Sequence, residues 1–141
     1  MNTPDILEGG KYFDDRGSLL FNNNFDASEV KRIYFIENKD LSFIRGWTGH
    51  QIEQRWFSAV HGSFTIRLAK LDSLNNLDKN VEIVEFELNS LQFNVLHAPR
   101  GFATTIQATQ NDSKLMVMAD YLLGEIKDEY RFEINYFEKL K

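Results

Sequence analysis

The stretch RGWTGHQIEQRW, residues 45–56, gathers side chains able to move a proton or hold an anion: Arg45, His50, Glu53 and Arg55, with Trp47, Thr48 and Trp56 among them. An imidazole titrates near 6.5 in the absence of other influences, so His50 is suited to general acid or base work around neutral pH. Three roles stand open for it: proton transfer beside a substrate, a hydrogen-bonded structural position, or metal ligation. The third is the weakest. His50 and Glu53 are three residues apart and face opposite ways on an extended strand unless a bulge intervenes. One imidazole and one carboxylate also fall short of the three or four protein ligands of a transition-metal site.

Arg45 and Arg55 carry guanidinium forks that match a phosphate or diphosphate, or else a carboxylate of the protein itself. Trp47 and Trp56 offer flat apolar faces that stack on a sugar or base or fill a core. Tyr34 and Tyr121 supply phenolic donors for a carbonyl or an enolate, or for main chain. His61 precedes Gly62 at a predicted hairpin turn and His97 precedes the APRG turn, so only the fold could recruit either one. Met116 and Met118 read as packing. Phosphate-loop, dinucleotide-fingerprint, HExxH and calcium-loop patterns do not occur.

The elements that must position these groups are short. VKRIYFIE (30–37), LSFIRGWT, QRWFSAVHG, SFTIRLAK, VEIVEFEL, FATTIQAT and KLMVMADYLL are runs rich in β-branched and aromatic residues, separated by polar or glycine-bearing turns. Phe64, Ile66 and Leu68 alternate with Thr65, Arg67 and Ala69, the pattern of a half-buried strand, and Val84, Phe86 and Leu88 share one face of another. FDDRG (13–17) predicts a turn before SLLF, HAPRG a tight turn into FATTIQAT, and 71–80 a loop. The tail EIKDEYRFEINYFEKLK fits either a short helix or an edge strand. Eight or more strands without long helical patterns predict an all-β sandwich or barrel.

At 141 residues the chain suits a single domain, 1–141. Its formal charge of -5 and scattered basic residues disfavour nucleic acid, while a local arginine pocket remains open to a nucleotide-sized anion. No apolar run approaches the roughly 18 residues of a membrane span, and the opening MNTPDILEGGKYFDDRG lacks a secretion signature, so the expectation is a cytoplasmic protein with no membrane partner. The absence of cysteine excludes disulfide and thiol chemistry.

Several of these stretches together resemble the cupin-type nucleotide-sugar proteins over nearly the whole chain. YFDDRGSLLF is similar to the FxDxRGxL opening of the deoxysugar 3,5-epimerases, while VKRIYFIEN, IRGWTGHQIEQRWFSAVHGSFTIRL and DEYRF come closer to the dTDP-sugar 3,4-ketoisomerases and the WxcM-like proteins. The resemblance implies a cupin (RmlC-like) jelly-roll barrel and a homodimer with exchanged N-terminal strands. It further implies isomerisation of a dTDP-4-keto-6-deoxyhexose through an enediol, with neither metal nor organic cofactor. The family's RGxHxH signature followed by EQ falls on Arg45, Gly46, His50, Glu53 and Gln54, with Thr48 in place of the first histidine. The roles implied are catalytic for His50, Tyr34 and Thr48, and substrate-binding for Arg45, Arg55 and Trp47. His50 would shuttle the proton at carbon 3 or 4, Tyr34 would donate to the enolate, and Thr48 would position a hydroxyl or water.

Against the 3,5-epimerases the fit is poorer, since their catalytic histidine also falls on Thr48 and their tyrosine near Met116. Against the metal cupins, Pro99, Arg100 and Gly101 keep the turn, but Thr104 takes the third histidine's place, which disfavours a metal-dependent activity. The alternative is a non-catalytic cupin that binds a nucleotide sugar or carbohydrate.

Overall fold

A computed structural model of the chain describes residues 3–71 and 81–137, so the expected loop over 71–80 lies outside the described residues except for Leu71. In chain order the strands are β1 (Asp5–Leu7), β2 (Gly10–Asp14), β3 (Gly17–Phe21), β4 (Arg32–Ile36), β5 (Arg45–His50) and β6 (Arg55–His61). They continue with β7 (Ser63–Lys70), β8 (Ile83–Asn89), β9 (Val95–Ala98), β10 (Phe102–Ala108), β11 (Lys114–Ala119) and β12 (Tyr130–Arg131). The ambiguous tail is thus an edge strand, paired through Tyr130 and Arg131 to Gly49 and Thr48 of β5. No helix among the described residues is long and apolar enough to cross a membrane.

Alternation along each strand sorts side chains onto two faces, and the pairing puts like with like. Phe64, Ile66 and Leu68 of β7 sit opposite Leu88, Phe86 and Val84 of β8, all in register. Phe57, Leu96, Leu115 and Val117 project from the facing sheet and close a common core with Phe64, Ile66, Leu68, Leu88, Phe102 and Ile106, while Val84 stays exposed. Burying aliphatic and aromatic side chains of this size stabilises a fold by about 1.5–3 kcal/mol each, which is what holds two sheets face to face.

The strand order is β1-β9-β6-β11-β4 in one sheet and β12-β5-β10-β7-β8 in the other, with β2 and β3 as a separate hairpin. Both orders are linear. The expected closed jelly-roll barrel is therefore corrected to two open antiparallel sheets packed face to face. β4 ends one sheet and the two-residue β12 ends the other beyond β5, and among the described residues no ladder of hydrogen bonds joins the edges. Closure would fill the gap between β4 and β5, and that gap holds the cleft described below. Within one chain β1 pairs with β9, Asp5 opposite His97 through Leu7 opposite Val95.

Candidate active site

β5 is where local sequence decides geometry. Gly46 has φ of 125°, and a Cβ there would lie 2.4 Å from the Thr104 carbonyl oxygen, so both the backbone region and the contact require glycine. Immediately after it the ladder to β10 shifts: Thr105 opposes Gly46 while Thr104 opposes Thr48, leaving Trp47 as the extra residue of a bulge. From there Thr48 and His50 point between the sheets, and Trp47 and Gly49 point outward. A Cβ on Gly49 would meet the Leu71 side chain at 2.6 Å, so the outer face is filled at that position too.

The inner side chains of β5 meet those of β4, β6 and β10 in a cleft of about 980 Å³. His50, Thr48, Tyr34, Arg45 and Arg55 all line it, together with Arg32, Thr104, Glu129, Arg131 and Phe132. The first five of these side chains come from three separate strands, and Trp47 lines the cleft as well. It borders the cleft but is fully buried, its indole N–H donating to the Ile134 carbonyl at 3.0 Å and its ring edge-on to Phe137. It packs with Ala69, Leu71 and Ala103 in a second cluster outside β5, so no face of it is left to stack on a sugar or base.

His50 is buried, and its Nδ1 lies 2.9 Å from the Asp128 carbonyl oxygen. A carbonyl only accepts, so Nδ1 carries the proton and Nε2 is left as the basic nitrogen. Burial first, and the Arg55 charge second, push the imidazolium below its ordinary range, opposed in part by the Asp128 hydrogen bond and by Glu53 and Asp128. Both causes favour the neutral ring, the form a base requires.

Asp128 was not singled out from the sequence. Its carboxylate accepts from the backbone N–H groups of Gln51, Ile52 and Glu53 at 2.8–2.9 Å and so fixes the turn that follows His50. The signal in DEYRF was local and carried no hint of a partner about 75 residues away, since backbone N–H groups leave no mark in sequence. Arg32 was missed as well, reading as one charge in an ordinary strand.

His50, Glu53 and Asp128 bring ligand atoms within 4.8 Å of one another, the one grouping among the described residues with potential metal donors in this number. Its carboxylate donors are engaged elsewhere, which leaves His50 Nε2 alone free, short of the three or four ligands of a transition-metal site. Asp128 accepts three main-chain N–H groups, Glu53 is tied to the Arg55 guanidinium, and His50 Nδ1 is held by a carbonyl. Thr48 and Thr104 face each other in register where further ligands would be needed. The residues present do not fit a metal.

The remaining candidates lie elsewhere. Trp56 is buried on the outer face of β6 with its ring stacked on His97, and Met116 and Met118 share that layer. His61 is exposed at the β6–β7 turn and bonds the Asp112 carbonyl oxygen. Tyr121 lies under the Lys31 ammonium and does not line the cleft.

The model of the family described as FdtA, WxcM-like, C-terminal, matches residues 4–141. The chain belongs to this family. Among solved structures it is similar to a mutant of the 3,4-ketoisomerase QdtA from Thermoanaerobacterium thermosaccharolyticum in complex with TDP-4-keto-6-deoxyglucose. That pair shares 20% identity over 99% of this chain and 94% of the other, with a TM-score of 0.73. The WlaRB TDP-quinovose 3,4-ketoisomerase of Campylobacter jejuni matches at 21% identity over 98% and 99%, with a TM-score of 0.69. A dTDP-4-dehydrorhamnose 3,5-epimerase from Elizabethkingia anophelis NUHP1 matches at 14% over 94% of this chain and 76% of the other, TM-score 0.74. These likenesses establish the RmlC-like cupin fold for the two-sheet arrangement. A search of curated proteins gives no match.

Proposed function

We propose that the family member described here is a nucleotide-sugar isomerase acting on a dTDP-4-keto-6-deoxyhexose or a similar keto sugar, with proton transfer through an enediolate. The observation that carries this reading is the convergence of His50, Thr48, Tyr34, Arg45 and Arg55 on one cleft, with His50 neutral and its Nδ1 proton already assigned. A base removes the proton at carbon 3 and the charge passes to the carbon-4 oxygen; the proton of the carbon-3 hydroxyl moves to that oxygen, and the proton held by the base returns to carbon 4 as carbon 3 becomes the carbonyl. With Thr48 unable to titrate usefully, His50 does both transfers, as base and then as acid. Tyr34 donates to the enolate oxygen, and the Thr48 hydroxyl holds a substrate hydroxyl or water. Arg45, exposed at the rim over the Phe43 ring, meets the diphosphate. Arg55 acts on substrate and base together, since its charge disfavours a protonated His50. No cofactor enters this scheme.

The ketoisomerase and epimerase neighbours, some of them holding TDP or a TDP-sugar, support the substrate class. Activated sugars are intracellular building blocks, and the cytoplasm is the compartment this reading assigns. A homodimer is part of it: Ile33 and Phe35 on the outer face of β4, and Phe13 and Leu19 on the hairpin, are exposed apolar side chains that suit a second copy of the chain. Light scattering is expected to give the mass of two chains; a monomer at micromolar concentration refutes the dimer.

The test of the activity is incubation with dTDP-4-keto-6-deoxyglucose in deuterated buffer, followed by NMR of product and of deuterium at carbons 3 and 4. The native protein exchanges and isomerises, and His50→Ala loses roughly 10²–10⁴ of the rate. Thr48, standing where the family has a histidine, favours one competing reading: a cupin that binds the nucleotide sugar without turnover. Saturable dTDP-sugar binding with no exchange would establish that reading and remove the isomerase.

A further inference from the structure

Arg32 lies on the inner face of β4 at a place fixed by register. Ala119 of β11 is paired on one side to Arg32 and on the other to Arg55. The small side chain of Ala119 leaves room for two guanidinium groups to reach over it into the cleft, and both arginines line that cleft. Between them sits one carboxylate. Glu53 is hydrogen-bonded to Arg55, while its distance to Arg32 Nη2 is 4.0 Å, too long for a hydrogen bond.

Among the described residues the Arg32 side chain donates no hydrogen bond to protein. Its Nε is buried without a partner, and its guanidinium rests 5.0 Å from the Tyr34 ring centroid. A guanidinium has five N–H donors and cannot shed its proton, so leaving one buried and unpaired costs about 1–3 kcal/mol. The Arg32 side chain is one-fifth exposed and lines the cleft. The Glu53 carboxylate beside it reaches within 4.8 Å of a His50 nitrogen, which puts Arg32 in the neighbourhood of the base, deeper than the rim cation Arg45.

We propose that Arg32 is a further catalytic residue, whose guanidinium donates to the sugar oxygen that becomes negative when His50 removes the proton. This rests on the isomerase reading and adds to it the group that stabilises the oxyanion. In the resting state the donor is preformed and unpaired; as charge develops, the substrate oxygen supplies the acceptor that the protein withholds. Tyr34, packed against the guanidinium, lines the same cleft.

The experiment compares native protein, Arg32→Gln and Arg32→Lys in two measurements: the rate of deuterium exchange into dTDP-4-keto-6-deoxyglucose, and calorimetric affinity for dTDP alone. Arg32→Gln is expected to lower exchange about 10²–10³-fold while dTDP affinity stays within about threefold. Arg32→Lys, which keeps the charge and the fold but not the fork, falls between the two in rate and also keeps dTDP affinity. Exchange within about threefold of native in both variants overturns the assignment, as does a tenfold or greater loss of dTDP affinity, which would make Arg32 a diphosphate ligand. A native protein without exchange removes the isomerase reading itself, and the role of Arg32 falls with it; an active native protein with active variants removes Arg32 alone.

Discussion

His50 on the inner face of β5 and His97 on the outer face of β9 are both desolvated enough that burial is the first cause holding their imidazolium forms below the ordinary range. Each ring has one nitrogen in a short hydrogen bond, to the Asp128 carbonyl oxygen at 2.9 Å and to Gln54 Oε1 at 2.7 Å respectively. What differs is the space beside them. His50 opens on a cleft lined by arginines, a tyrosine and threonines, whereas His97 is stacked on Trp56 and bonded to a glutamine that is itself held by Asp120. A perturbed histidine is therefore a poor guide to chemistry until the room around its second nitrogen is known.

The comparison breaks most sharply in turnover. His50→Ala is expected to lose about 10²–10⁴ of the keto-sugar exchange rate, and His97→Gln to stay within about threefold of native. Equal losses in the two variants would mean that the outer layer, not the cleft, governs the reaction. Trp47 sharpens the same contrast within β5, since it is the outward neighbour of the inward Thr48. Trp47→Ala should cost about 3–5 kcal/mol in chemical denaturation, the range for truncating a buried aromatic. A loss under about 1 kcal/mol would show that the indole is not the packing residue described.

The smallest effect concerns pH. Both histidines have folded-state pKa values below the unfolded value near 6.5, so the unfolded chain binds protons first. Their contribution to stability is present above that value and is lost as pH falls from it toward the folded values. In kcat/KM, the acid limb reporting the His50 base should lie below 6.5 for the same reason. Arg55→Gln removes the second cause of that depression and should move the limb upward, while His97→Gln leaves it in place. A limb that stays put in Arg55→Gln would separate His50 from the Arg55 charge.

Much of the scaffold was legible locally. Alternation in SFTIRLAK fixes which side chains of β7 enter the core, and the turn residues of FDDRG and HAPRG punctuate the strands where the turns fall, because strand period and turn chemistry act over a few residues. Family membership and five of the cleft residues were legible as well, since the RGWTGH stretch carries its types and spacing in one piece. Closure of the sheets was not. Whether β4 and β5 pair depends on twist and on what fills the gap between them, and no local pattern reports that.

The sequence by itself determined most of the longer strands, the alternation of side chains along them and the presence of one suitable imidazole in the RGWTGH stretch. Tertiary structure decided which groups share a space. The bulge opposite Thr104 turns Trp47 into the outer core, Asp128 arrives from the far end of the chain to lock the His50 tautomer, and pairing across Ala119 sets Arg32 beside Arg55. Each of these is a relation between residues distant along the chain. Such relations are fixed by register and packing, which involve whole sheets at once, and for that reason they come into view only when the sheets are assembled.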